Sequence, residues 1–182
     1  MIQLDKMQSS ILAFLFDKLP ISDAVDTLDF ALSGDFHGKY YAAHAPLSQG
    51  EGINVVFTLP KYTTHTFFAL TRSKELDVAR LLANIEDCER VSSISLGFGE
   101  AVVMQGKMVS SESWEPYGVL LLRTASAVDL RNVPDKESIN GQEIFFLLAV
   151  PLTKTEWDYR KQFGHDALMD LFQSKGKELF FC

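Results

Sequence analysis

The sequence predicts an α+β domain: a mixed, largely antiparallel sheet with flanking helices. Three observations carry that expectation. Ile144 to Val150 is an apolar run with no polar alternation, the pattern of a strand covered on both faces. Three short aromatic and β-branched segments between residues 39 and 71 are separated by turn residues, which reads as an antiparallel meander. Two further stretches, 3–18 and 73–85, repeat apolar residues at three- and four-residue steps, the period of a helix.

Taken in order, Leu4, Met7, Ile11, Leu12, Leu15 and Leu19 place an amphipathic helix over 3–18, ending before Pro20. Ser22 is a candidate cap for a second helix. Asp23 and Asp26 would lie in its first turns, Val25, Leu28 and Leu32 would form its buried stripe, and Ser33-Gly34 would end it. The segments KYYAAHA, INVVFTL and THTFFALT then read as strands, divided by LSQGEG and by Pro60-Lys61. Ser73 precedes Leu76, Ala79, Leu82 and Ile85, a helix of about three turns. SISLGFGEAVVMQGKMV is expected to hold one or two strands bent at glycines, and GVLLLRT another. Residues 125–142 show no periodicity and close on Asn140-Gly141, a turn pair.

The apolar run should end at Pro151, which has no N–H for a ladder. Thr153 and Glu156 make a capping box, and Leu152 with Trp157 has the spacing of a hydrophobic staple. In the helix that follows, Trp157, Phe163, Leu168, Leu171 and Phe172 supply the apolar side, and Asp158, Arg160, Lys161 and Gln162 the wet one. Gly164 either ends a first helix or admits another backbone. The chain is expected to be one domain over 1–182, with a helical segment at 1–33, a sheet-and-helix body at 34–173 and a tail at 174–182.

At 182 residues with 47% apolar content and 14 Phe, the chain can fill a core without disulfides or a structural metal. Its formal charge of -7 repels phosphate. The densest basic group is Lys154, Arg160, Lys161, Lys175 and Lys177, so nucleic acid is not an expected ligand, while a basic protein partner would be favoured at encounter. Cys88 and Cys182 form no CxxC or Cys/His spacing, which suits a reducing compartment. The apolar stretch Ile11 to Phe16 is flanked by Asp5 and Asp17 and lacks the marks of a signal peptide. The run before Pro151 is far short of the roughly 20 residues a membrane helix needs. A soluble, cytoplasmic protein is expected.

Chemistry is sparse. His37, His44, His65 and His165 make no metal-binding spacing. Gly97-Phe98-Gly99 and Gly50-Glu51-Gly52 do not extend into a dinucleotide or phosphate loop. No GxSxG elbow occurs, and Cys88 between Asp87 and Glu89 is poorly placed for a nucleophile. No catalytic, metal or cofactor residue is assigned. Two groups suit a protein-binding surface: Glu112, Trp114, Glu115 and Tyr117, aromatic area among acids in an expected loop, and the acidic cluster Glu86, Asp87 and Glu89. The plain alternatives are a Trp folded back on the core and a solvated helix end. A hydrolase using a carboxylate with His65 or His165, and a homodimeric regulatory or structural protein, are the competing functional readings.

From residue 118 to 173 the chain resembles the suppressor-of-fused (SuFu-like) domain family. The resemblance lies in GVLLLRT, an irregular connection, Asn140-Gly141, the strand EIFFLLAVPLT, Glu156, Tyr159 and FGHDALMDLF. INVVFTLP and THTFFALT stand where that family has its earlier strands. The resemblance implies an α+β fold and no enzymatic activity. Animal members sequester transcription factors that add a strand to the fold, and they carry a second domain for which this chain has no room. Single-domain bacterial relatives resemble immunity proteins that neutralise a cognate toxin, which makes a toxin the expected protein partner. The family offers no catalytic motif to transfer.

Overall fold

In the computed structural model, residues 2–21, 24–32, 36–104 and 116–182 are described. Among them run nine strands and four helices: α1 (Lys6–Lys18), β1 (Asp26–Phe30), β2 (Tyr40–Pro46), β3 (Asn54–Thr58), β4 (His65–Thr71), α2 (Glu75–Ser92), β5 (Ala101–Val103), β6 (Gly118–Arg123), β7 (Lys136–Ile139), β8 (Gln142–Leu152), α3 (Lys154–Phe163), α4 (His165–Lys175) and β9 (Phe180–Phe181). The strands form one open sheet in the order β1-β2-β3-β4-β8-β6-β5, with β7 against β8 and β9 against β4. All pairings are antiparallel except β4–β8 and β4–β9.

β8 is the hub. It pairs with β4 on one side and with β7 and then β6 on the other. Its side chains divide by the two-residue period of a strand. Ile144, Phe146, Leu148, Val150 and Leu152 enter one core with Ile11 and Leu15 of α1 and Leu168 and Phe172 of α4. Leu147 and Ala149 enter the other, beneath Val78, Leu82 and Ile85 of α2. Both faces are covered, which is why the run shows no polar alternation.

The expected meander is β2, β3 and β4, paired antiparallel in sequence. Asn140 and Gly141, with φ of 51° and 80°, make the turn between β7 and β8. Two positive φ values at adjacent central positions are what a twisted hairpin demands. Thr153 caps α3 with Glu156 in the reciprocal box. Gly164, at φ 93°, separates α3 from α4.

Four local expectations are corrected. The second helix does not form: its apolar residues lie on and beside β1, an edge strand paired with β2. Leu28 and Phe30, two apart, pack toward α2, while Val25 packs on the opposite face, so the operative period was 2. Ser22, Asp23 and Ser33-Gly34 lie outside the described residues. Pro151 does not end β8, which reaches Leu152. β4 has parted from β8 after Leu148, so the proline sits where the strand is paired on one side only. α2 spans 18 residues rather than three turns, and stops at Ser93 in the left-handed conformation. The connection 125–142 contains two short 3₁₀ turns and β7.

Candidate functional site

α2 carries Val78, Leu82 and Ile85 into the core, and the next positions on that stripe are Glu86 and Glu89. Both are buried, with 0% and 2% of their surfaces exposed. Glu86 Oε1 accepts the backbone N–H groups of Lys61 (3.0 Å) and Tyr62 (3.1 Å) in the β3–β4 turn. Glu89 Oε1 accepts from Leu96 N (2.8 Å) and lies 3.0 Å from His65 Nδ1. The second oxygen of each has no partner among the described residues. Burial pushes the Glu86 carboxyl up to about 7, against the pull of its two backbone donors and with Glu89 and Asp87 adding to the rise.

Asp87 points elsewhere on the same turn. Its Oδ1 accepts the Tyr40 hydroxyl proton and Arg90 Nη2 (2.8 Å), while Arg90 Nε donates to Tyr40 Oη (2.8 Å). Burial, reinforced by Asp87, holds the Tyr40 phenol well above its ordinary range. The Arg90 guanidinium lies 3.7 Å from the Phe36 ring centroid, inside an aromatic group completed by Tyr40 and Tyr62. The acidic cluster is therefore not a solvated face. Two of its three members are internal, and all three tie α2 to other elements.

Beside Glu89 opens a recess of about 340 Å³, lined by His65, Thr63, Thr64, Ser93 and Ser95. The His65 ring stacks on Phe145 at 5.2 Å and on Phe67 at 5.9 Å. It brings a histidine and a carboxylate together at a polar surface.

A larger groove of about 950 Å³ lies at the other end of the sheet, where β8 hands over to α3 and where α4 and β9 pass. Leu152, Tyr159, Leu171, Phe172 and Phe180 give it apolar lining; Lys154, Lys175, Lys177 and Glu178 add charge. Lys177 Nζ bonds both Glu156 oxygens (2.7 and 2.6 Å) and stands 4.7 Å from the Phe172 ring centroid. The capping glutamate thus also anchors the chain after α4. Tyr117 lines the groove, its ring 5.6 Å from that of Trp157 and 5.2 Å from Lys154 Nζ. Glu112, Trp114 and Glu115, expected beside Tyr117 as an interface, lie outside the described residues.

The groove did not emerge from the sequence, and of the His65–Glu89 pair the sequence offered His65 with a carboxylate it did not name. Burial of the two glutamates had a signal, because Leu82, Glu86 and Glu89 continue the helical stripe. The groove's signal was weaker: three of the five residues in the densest basic group, Lys154, Lys175 and Lys177, meet there. Among the described residues no His, Cys, Asp or Glu grouping could hold a metal ion, and no helix is long and apolar enough to cross a membrane.

A solved structure shares this architecture. A SUFU (suppressor of fused protein) homolog from Neisseria gonorrhoeae FA 1090 matches with a TM-score of 0.70 at 12% identity, covering 96% of this chain and 92% of that one. The Sufu-Fu complex matches at 0.46 and 10% identity, with 86% and 70% covered. Drosophila Suppressor of Fused matches at 0.45 and 9% identity; there the match covers 86% of this chain and 39% of that protein. No curated protein sequence matches the chain. The family model for Suppressor of fused protein (SUFU) matches residues 33–181, which takes in every strand from β2 to β9. This chain belongs to the suppressor of fused protein family.

Proposed function

We propose that this chain is a non-enzymatic protein-binding domain, and more narrowly an immunity protein that neutralises a cognate bacterial toxin in the cytoplasm. The observation that carries the reading is the groove at the β8–α3 corner. Its apolar lining is open to a partner, and it rests on rigid elements, a central strand and two packed helices. Family membership supports a role without chemistry of its own, and Lys154 and Lys175 at the groove suit an acidic face on the toxin.

The test is capture of partners from the native host by the tagged full chain, followed by growth rescue of cells expressing the captured protein. Lys175→Glu combined with Tyr117→Ser should reduce capture and rescue at least about tenfold, the loss of one good interface contact, with little change in melting temperature. Capture and rescue undiminished in that variant would remove the groove from the interface. No partner and no rescue would remove the immunity reading.

One observation favours a second reading. His65 and Glu89 meet at 3.0 Å beside a recess lined by five hydroxyl side chains, an arrangement suited to a hydrolase. Turnover of ester, phosphoester or peptide substrates that disappears in His65→Gln would establish it.

A further inference from the structure

The recess beside His65 is walled on one side by the end of α2 and the turn after it, and on the other by Tyr62, Thr63 and Thr64 before β4. Glu89 is the only acid among the residues that line it, and is 2% exposed. Its Oε1 accepts from Leu96 N and lies 3.0 Å from His65 Nδ1, while Oε2 has no partner among the described residues. A buried carboxylate with one oxygen bare is costly until a donor reaches it. We propose that the recess binds one organic cation, a guanidinium or primary ammonium, which donates an N–H to Glu89 Oε2.

The charges around the recess have the sign for such a guest. It lies at the C-terminal end of an 18-residue helix, where the carbonyls of the last turn form the negative pole. Arg90, the lining residue of opposite sign, is committed elsewhere: Nη2 donates to Asp87 and Nε to Tyr40 Oη, both at 2.8 Å, and the guanidinium rests on the Phe36 ring. Lys61 stands over the Tyr41 and Tyr62 rings, at 5.5 and 6.0 Å from their centroids, and does not line the recess. The formal charge of -7 draws cations to the surface as a whole.

The remaining lining fits the same class. Among the described residues no His, Cys, Asp or Glu grouping could hold a metal ion, so the guest is one that brings its own hydrogen-bond donors. Thr63, Thr64, Ser93 and Ser95 present hydroxyl oxygens to its other N–H groups. Ile94, 50% exposed at the rim, offers apolar surface to a methylene stem. A volume of about 340 Å³ is small for a ligand site and takes a group of side-chain size. An arginine or lysine side chain of a protein partner presents this chemistry, and so does a free amine. The recess shares no residue with the groove at the β8–α3 corner, so the site stands or falls apart from that interface.

Titration of the full chain with n-propylguanidinium, followed by NMR at the His65, Ser95 and Leu96 amides, tests the site. These amides should shift saturably with a dissociation constant of about 1 mM, in keeping with so few ligand atoms. The uncharged n-propylurea should bind at least about tenfold more weakly. Glu89→Gln keeps an acceptor for Leu96 N–H and removes the charge, and should weaken the guanidinium by a similar factor. Because a buried substitution can loosen the fold, Ser95→Arg gives a second variant at an exposed position; its own guanidinium should exclude the probe. N-acetyl-arginine methylamide binding more tightly than free arginine assigns the site to a partner's side chain, and the reverse order assigns it to a free amine. No saturable shift at these amides, equal binding of the urea, or undiminished binding in either variant overturns the proposal.

Discussion

Gly118 opens β6 at a place with no room for a side chain. A Cβ there would lie 2.7 Å from the Val102 carbonyl oxygen and 3.1 Å from the Trp157 ring. The first contact is backbone in the neighbouring strand, and the second is the staple residue of α3, so neither yields easily. Gly118→Ala should cost about 1–3 kcal/mol, the range for overpacking, and should loosen the β5–β6 pairing at Val103. Urea denaturation checks it; a loss below about 0.5 kcal/mol, ordinary for a surface change, would mean the strand shifts freely. Glu86 is the opposite case. Its position on the stripe of Leu82 and Ile85 was readable, but acids in a run look alike in sequence whether they face water or the core. The decisive fact, that loop N–H groups come to meet them, belongs to tertiary structure.

At the scale of elements, β8 was legible because a run of seven apolar residues needs cover on both faces, and α3 because its cap is written locally. Thr153→Ala removes the hydroxyl that accepts from Glu156 N at 3.2 Å and leaves the other half of the box, the bond from the residue 153 N–H to Glu156 Oε2, in place. The loss should be about 1 kcal/mol, read as a lower denaturation midpoint with an unchanged slope. A neutral result would show that the bonds Glu156 keeps, from the residue 153 N–H and from Lys177, hold the helix start without the hydroxyl. β1 was misread because Val25, Leu28 and Leu32 fit a helical step and Phe30 was passed over; Leu28 with Phe30 carries the strand period. The parallel joining of β4 to β8 had no local signal at all, since His65 and Phe145 are partners across eighty residues of chain. The groove shared that obscurity. It is assembled from a strand end, two helices and the last residues, and only the clustering of lysines hinted at it.

For the whole molecule, the two ends of the sheet differ in kind. The β8–α3 corner presents lysines and apolar surface to the outside, whereas the α2 side takes acids into its interior. That second arrangement ties the stability of the entire fold to pH. Glu86 holds its proton more tightly folded than unfolded, so its contribution is fully present below the ordinary glutamate value and is lost as pH rises to about 7. Two and a half pH units at about 1.4 kcal/mol each amount to roughly 3 kcal/mol, a large share of the stability a domain of this size holds. Urea unfolding of the wild type and of Glu86→Gln at pH 4.5, 6 and 8 isolates the effect, because every other titratable group is common to both proteins. The stability difference should move by about 3 kcal/mol in favour of the variant between pH 4.5 and 8, with most of the change complete by pH 7. A difference constant across that range would mean that the folded and unfolded chains hold this proton equally well, and that burial at the end of α2 is relieved by water reaching the carboxyl.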